Sequence, residues 1–522
     1  MKYYIGLDNG GTTTKAALYN REGKEICVSS MATKMLSPAP GFVERDMEEM
    51  WEANCIVVRK VLEESAIDPA DVAGVAVCGH GKGLYLWGKD GKPARNGIIS
   101  TDNRAWEYPL KWIEDGTDDK ALDRACQQII SCQPASLLAW LRDHEPECLD
   151  KIEWIFEAKD YVRFRLTGEA KAELGDYSGT DLINLHTRDY DAELLQLFEL
   201  EQYREAFPPL CQAAEICGYV TDEAAKRTGL VKGTPVAGGM FDVHACMLAA
   251  DVVTEEKLCM IAGTWSVNLY LSKKPVTNKE ILKHTRNTIF VLPEYYLAEE
   301  GSPTSAGNNE WFIQNLLPEF VQECKEKGSS VYGKINSWVE EISIEEFCPV
   351  FLPFLVGSNV HPNAKGSFIG ISSFHTRKHL LRSVYEGVAF SHRMHLERLM
   401  KSYQGQPQVI RLTGGVAKSE VWTQMFADVM NIPVEVLDAD ETGALGCAIV
   451  AAAAVKDYPS VEAAARHMSR ISRRVMPNQR NVEVYNQKYA LYCKTIEGLN
   501  GVWDSYQKYI DKTINNRKRG IE

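Results

Sequence analysis

The sequence predicts an α/β protein, on three observations. Short apolar runs of strand length alternate with longer segments whose apolar residues recur at helical spacing. Two strand–turn–strand hairpins with Gly- and Thr-rich tips stand one in each half of the chain. The 522 residues suffice for two lobes of about 200 to 250 residues each.

The first hairpin comprises Tyr3-Tyr4-Ile5-Gly6-Leu7, a turn from Asp8 to Thr14, and Ala16-Ala17-Leu18-Tyr19. A helix is expected over Met47 to Glu63, and strands over Val72 to Cys78, Trp154 to Phe156 and Thr234 to Ala237, with a helix at Ser136 to Arg142. The second hairpin follows: Leu258 to Ile261, the tip Ala262-Gly263-Thr264-Trp265, then Ser266 to Leu271. Helices at His379 to Met400 and Ser419 to Met430 flank a strand at Val409 to Leu412. Gly443 to Val455 is apolar but rich in Ala and Gly and too short to cross a membrane, so it reads as a buried helix. The two hairpins admit two readings: a duplicated domain with a ligand between the copies, or chance similarity of short Gly/Thr turns. On the first, one domain spans residues 1–250 and the other 251–456. Residues 457–522 form a helical tail whose stripe Tyr485, Tyr489, Tyr492, Ile496, Leu499 and Trp503 packs on the body, with a solvated basic end at Arg517-Lys518-Arg519.

The charge, 58 basic minus 71 acidic residues or −13, argues against a general nucleic-acid binder but says nothing against a small anionic ligand held locally. Asp8 interrupts the first apolar run, so the N-terminus is not read as a signal peptide. The 14 cysteines include no CxxC pair and are expected to be reduced core thiols of a cytoplasmic protein.

Several motifs fail. Gly83 to Asp90 is one residue short of a P-loop, and its interior Leu84-Tyr85-Leu86-Trp87 reads as a strand. No GxGxxG opens a helix. His392 and His395, three apart in a helix, lack zinc-protease spacing and read as a solvated or core-edge face.

Four segments carry chemistry. In Asp8-Asn9-Gly10-Gly11-Thr12-Thr13-Thr14-Lys15, glycines let backbone N–H groups approach a phosphate, threonines add hydroxyls and Lys15 adds charge. Asp8 at the strand end can hold Mg²⁺, which favours one or two carboxylates plus phosphates. The alternative is an ordinary turn. In Gly238-Gly239-Met240-Phe241-Asp242, a carboxylate follows a strand at the head of a helix. It suits a base accepting an alcohol proton during phosphoryl transfer, and equally an N-cap. Gly263-Thr264 is the second hairpin tip. Thr413-Gly414-Gly415-Val416-Ala417-Lys418-Ser419 joins a strand to a helix, either as a platform for a flat base or ribose or as a plain turn ended by a Ser cap.

Gly366-Ser367-Phe368-Ile369-Gly370-Ile371, seven residues, then His379-Leu380-Leu381-Arg382-Ser383-Val384-Tyr385-Glu386 follow a family signature position by position. From Met1 to about Lys456 the chain resembles the FGGY family of carbohydrate kinases, within the actin/hexokinase/Hsp70-like ATPase superfamily. Gly81-Lys82-Gly83-Leu84, Gly239 to Val243, Ser37 to Asp46 and Ser302 to Trp311 are similar to its L-xylulose kinase branch. The resemblance implies two ribonuclease-H-like domains flanking an ATP/sugar cleft. It implies Asp242 as catalytic base; Asp8, Gly11, Thr12, Thr13, Thr14 and Lys15 on Mg-ATP, with Asp8 on the Mg²⁺; Gly263 and Thr264 on the γ-phosphate side; and Gly414, Gly415 and Ser419 on the adenosine. The sugar lies against Gly79, His80 and Lys82, with Asp102, Arg104 and Asp242 near. The implied reaction is ATP-dependent phosphorylation of a primary hydroxyl of a ketopentose, L-xylulose or similar, without nucleic-acid or membrane partners and with a homodimer as a family-level expectation. His80 matches the histidine of D-xylulose kinases where the L-xylulose branch has glutamine, and Ser100 stands where many relatives carry tryptophan. The alternatives are D-xylulose, ribulose, erythritol or glycerol as substrate, or a non-enzymatic nucleotide-gated protein, against which no separate peptide-binding domain follows the core.

Overall fold

A computed structural model describes residues 2–403 and 405–518, with the side chains of the last helix described as far as Thr513, so the side chains of the basic end Arg517-Lys518-Arg519 lie outside what is described. The chain forms two compact units: Met1–Thr254 with Leu271–Ala298 and Asp438–Arg470, and Glu255–Tyr270 with Glu299–Leu437 and Ile471–Glu522.

The first unit is built on a seven-stranded sheet. β1 (Tyr3–Asn9), β2 (Thr13–Asn20) and β3 (Glu25–Ala32) form an antiparallel meander. α1 (Met47–Ser65) then leads to β4 (Val72–Gly79), which lies parallel beside β1. Asp46 starts α1 by accepting hydrogen bonds from the N–H groups of Glu48 and Glu49, and its apolar stripe, with Trp51, Val58 and Val61, joins Ile5, Leu7 and Leu18 in the core. α2 (Ala158–Thr167) follows, and β5 (Ile216–Tyr219) and β6 (Pro235–Ala237) complete the order β5-β6-β4-β1-β2-β3. β7 (Met240–Phe241) also pairs with β4 and runs directly into α3 (Asp242–Ala249).

The second sheet comprises β8 (Lys257–Ala262), β9 (Ser266–Ser272), β10 (Arg286–Ile289), β11 (Tyr296–Ser302), β12 (Val409–Thr413), β13 (Val434–Leu437) and β14 (Ile471–Val475). Its order is β10-β11-β9-β8-β12-β13-β14, with β8 antiparallel to β9 and parallel to β12. Each sheet thus sets a hairpin beside a later parallel strand: β2-β1-β4 in one, β9-β8-β12 in the other. Of the two readings of the hairpin echo, this shared order supports duplication.

Strands and helices stand at the expected places, including those at Trp154 to Phe156 and Ser136 to Arg142. α4 (Arg377–Leu399) and α5 (Glu420–Met430) belong to the second unit. α6 (Thr442–Ala454) is buried from Gly443 to Ala452 and packs in the first unit against β1. Its backbone passes so close that a Cβ on Gly6 would stand 1.9 Å from the Ala444 carbonyl oxygen. α7 (Gln479–Lys518) lays Tyr485, Tyr489, Tyr492, Ile496 and Trp503 inward, with the first three tyrosines around Phe390 of α4.

For His392 and His395 the solvated alternative does not hold. Neither is on a solvated face: both are buried, His392 between Ser266 and Ser305 and His395 against Glu300. Buried polar groups find partners, and these two found them across the second unit's interior. None of the 14 cysteines forms a disulfide, and eleven of them are buried. Among the described residues no helix is long and apolar enough to cross a membrane.

Candidate active site

In the first unit three strand ends meet at one edge. The β1–β4 register sets Asp8 opposite Cys78 and Asn9 opposite Gly79, and β7 sets Phe241 opposite Gly79. Asp8, Gly79-His80 and Asp242 are therefore neighbours by strand pairing, at the carboxyl ends of parallel strands where α/β sheets collect ligands.

Asp242 occupies the first turn of α3, and the residue in the capping position is Phe241, so Asp242 is not the cap. Burial pushes its carboxyl well above the usual carboxylate range, and the charges of Asp8 and Asp176 push it the same way. Asp8 is raised to about 6, chiefly by burial, with Lys15 opposing. Its Oδ1 is buried without a hydrogen-bond partner, and a Cβ on Gly443 would stand 2.5 Å from its Oδ2. A carboxylate with an orphaned oxygen, whose charge raises a second carboxyl, suits a cation between or beside the two.

The rest of the first tip divides. Gly11 faces open space on the side where a Cβ would stand, and Thr12 is exposed. Thr13 is half-buried. Thr14 is turned inward, its hydroxyl accepting a 2.9 Å hydrogen bond from buried Arg45. Lys15 is engaged by Glu441 at 2.6 Å, so its charge has a carboxylate partner within the protein. The sequence contained both groups but not the partners that hold them.

His80 is buried, its Nε2 2.9 Å from the Tyr85 hydroxyl, and burial lowers its pKa to about 4, so the ring is neutral at pH 7. Lys82 has a left-handed backbone, φ 65°, and its ammonium lies 5.1 Å from the centre of the Phe241 ring. Asp102 and Arg104 are both buried and engage each other: Oδ1 accepts from Arg104 N and Nε, and Oδ2 accepts from Val43 N and Arg104 Nη2. Arg104 also reaches Glu44 at 2.8 Å and stacks on Phe42 and Trp140. Only its Nη1 is left without a partner.

Sequence reasoning missed a buried charge cluster beneath this edge. Lys159 sits among Asp160 (2.7 Å), Asp176 (2.9 Å) and Glu173 (3.8 Å), and Arg163 pairs with Asp160 at 2.7 Å. Glu157, Asp160 and Asp176 could together hold a metal ion, but the Lys159 ammonium already supplies the positive charge there. Burial raises both Glu157 and Asp176, with the charges of Asp176 and Asp160 adding to the rise at Glu157 and that of Asp160 to the rise at Asp176. Asp176 Oδ1 would lie 2.7 Å from a Cβ on Gly81, which brings the cluster against the His80–Lys82 turn. Its helix shows only Ala158-Lys159-Asp160-Tyr161 in sequence, a pattern that reads as an ordinary charged turn.

In the second unit Gly263 and Gly414 come together. Gly414 has φ 88°, and a Cβ there would stand 2.7 Å from the Ala262 carbonyl group. Gly263 and Gly415 have nothing within 4 Å on the side of a Cβ, and Thr264 is exposed. Ser419 caps α5, accepting from Trp422 N, and donates its hydroxyl to Asn336 at 2.9 Å.

Residues 3–249 match the N-terminal domain of the FGGY family of carbohydrate kinases, and residues 258–455 match its C-terminal domain. The chain is 36% identical over 505 residues to an L-xylulose/3-keto-L-gulonate kinase of Escherichia coli, covering 96% of this chain and 98% of that one. It is 27% identical to a xylulose kinase of Bacillus subtilis, covering 94% and 96%. The xylulose kinase structure from Rhodospirillum rubrum superposes with a TM-score of 0.86 at 25% identity, over 96% of this chain and all of that one.

Proposed function

The chain belongs to the FGGY family of carbohydrate kinases, ATP-using phosphotransferases with an alcohol acceptor, and on that footing we propose that it phosphorylates a primary hydroxyl of a ketopentose, L-xylulose or a close relative, with Asp242 as the base. The observation that carries the assignment is the state of Asp242: an uncapped carboxylate in the first turn of α3, beside the strand ends of Asp8 and Gly79, with its proton affinity raised by burial and by two neighbouring carboxylates. A base with raised proton affinity accepts the hydroxyl proton more readily as the new P–O bond forms. The sugar preference rests on the L-xylulose kinases at about 36% identity over nearly the whole chain.

Asp8 is assigned to Mg²⁺, a reading supported by its orphaned, buried Oδ1. When bound, Mg²⁺ neutralises phosphate charge. The open side of Gly11 and the exposed Thr12 leave backbone and hydroxyl donors for phosphate. Lys15 orders this tip through Glu441, and Thr14 does so through Arg45. In the second unit Gly263 and Thr264 are assigned to the γ-phosphate and the Gly414-Gly415 turn to the adenosine, with Ser419 ordering that turn as a helix cap. Gly79, His80 and Lys82 are assigned to the sugar; neutral His80 orients hydroxyls without charge. Asp102 and Arg104 support that wall through each other. A homodimer and a cytoplasmic location complete the reading.

The test is ADP release over a panel of ketopentoses, aldoses and polyols, with the phosphorylated product identified. Ketopentose-dependent release is expected, and Asp242→Asn should lower kcat by roughly 10²- to 10⁴-fold while ATP binding is kept. Near-normal turnover in that variant removes the base assignment. Turnover of every sugar class except ketopentoses removes the substrate.

A further inference from the structure

Asp181 is an expensive residue to keep. It is fully buried, both of its carboxylate oxygens lack a hydrogen-bond partner, and it holds a left-handed backbone, φ 63°. No hydrogen bond offsets these costs, and such strain and desolvation concentrate where a ligand supplies the missing contacts. Its surroundings point the same way. The segment Ser178-Gly179-Thr180 that leads into it is tied by its carbonyls to Gln127 (2.7 Å), Gln133 (3.1 Å) and Ala135 N (3.3 Å). The Ser178 hydroxyl binds Ile289 N at 2.8 Å, which fixes the strand carrying Arg286. Gly83 N donates to Cys132 O at 2.8 Å, which joins the Lys82 turn to the loop that follows Gln127. Two more buried polar atoms here have no partner, Gln127 Oε1 and Arg286 Nε. Lys82 and Arg286 are the cations that act on Asp181, and Asp118 is the opposing anion. Lys82 also acts on Asp242, so one cation is shared by the base and this second carboxyl.

We propose that Asp181, with Arg286 and Gln127, forms a polar subsite that binds the hydroxyl-bearing end of the substrate remote from the hydroxyl that is phosphorylated, and so selects chain length and distal hydroxylation. This rests on the kinase reading of the Asp242 edge. The ligand chemistry is that of a neutral polyhydroxy chain. A hydroxyl donates to one acceptor and accepts from one donor, and the subsite offers Asp181 and Gln127 Oε1 as acceptors and Arg286 Nε as donor. Asp181 touches no reacting atom in this scheme and acts on binding and specificity.

The test compares the wild-type protein with Asp181→Asn and Asp181→Leu on whichever ketopentose the panel identifies, and on the analogue whose hydroxyl at the non-phosphorylated end is replaced by hydrogen. Wild type should discriminate against the deoxy analogue by about tenfold or more in kcat/KM, because a buried acceptor is then left unpaired. Asp181→Leu should raise KM for the parent sugar about tenfold or more with a much smaller change in kcat, and should lose most of that discrimination. Asp181→Asn keeps the shape, an acceptor and tolerance of the left-handed backbone, so it should retain most of it. A structural role makes a different forecast. If Asp181 served the fold, Asp181→Asn would lower the melting temperature; a ligand-serving Asp181 gives an Asn variant as stable as wild type or more so. Unchanged KM and discrimination in both variants overturn the subsite, as does an Asn variant that melts earlier. A wild-type protein that turns over no ketopentose overturns the substrate reading instead, and the comparison is then made on the sugar that is turned over.

Discussion

The two hairpins share a backbone plan and differ in what they carry at the tip. β1 carries Asp8 one residue before its end, with one buried, orphaned oxygen, and β2 begins with Thr13, Thr14 and Lys15, of which Thr14 binds Arg45 and Lys15 binds Glu441. Between β8 and β9 stand only Gly263, Thr264 and Trp265, with the last two exposed and no ionisable side chain in the turn. The two hairpins share the geometry that presents backbone donors, while the carboxylate appears in one of them. The first tip carries a carboxylate and is held in place by ion pairing. The second offers neutral donors alone.

The largest expected effect separates the two tips by charge. Asp8→Asn should reduce kcat by roughly 10²-fold or more and raise the Mg²⁺ concentration needed for half-maximal turnover, because a charged ligand is lost from a low-dielectric site. Thr264→Val removes one neutral hydroxyl and should cost about tenfold at most. Steady-state kinetics over a Mg²⁺ series measure both, and equal losses would mean that the two tips do the same work.

A second contrast concerns packing. A Cβ at position 6 meets the Ala444 backbone at 1.9 Å, and helix and strand must separate to admit it. Gly6→Ala should therefore destabilise the first unit by about 3 kcal/mol, the upper part of the range for overpacking. Gly414→Ala combines φ 88° with a 2.7 Å approach to Ala262 and should lower stability by a similar or smaller amount. Gly415→Ala meets nothing within 4 Å, so it should leave melting unchanged and weaken nucleotide binding alone. Thermal melts with and without ATP separate the three.

The sequence made the hairpins legible because Gly/Thr tips and alternating apolar runs are local signals, and duplication followed once both lay beside a later parallel strand. Asp242 was legible as a carboxylate after two glycines, but whether it capped its helix depended on where β7 ended, which local composition does not determine. The engagement of Lys15 was not legible, because Glu441 is 426 residues away in sequence. Nor was the Lys159 cluster, since its ion pairs join α2 to Glu173 and Asp176 through the interior. β3 was overlooked because it is largely solvent-exposed and mixes polar with apolar residues. Long-range pairing and burial, not propensity, determine these features.

The smallest effect is a pH-linked one and tests the first tip alone. The folded state holds Asp8 at about 6, above the ordinary carboxylate value of 3.8, because burial disfavours its charge. Below the unfolded value both states are protonated and the group costs nothing. Between the two values the folded state binds more protons, so stability falls as pH rises, and above about 6 the whole penalty is present. Asp8→Asn should thus melt a few degrees above wild type at pH 8 with chelator present, for a relief of about 1–3 kcal/mol. That gain should shrink through pH 6 and vanish near pH 4. Added Mg²⁺ should narrow it at pH 8 by stabilising only the protein that keeps the carboxylate. Thr264→Val, with no titrating group at its tip, should show no pH-dependent gain. A gain in Asp8→Asn that persists at pH 4 would mean that Asp8 is costly for its shape rather than its charge, and the electrostatic distinction between the tips would fail.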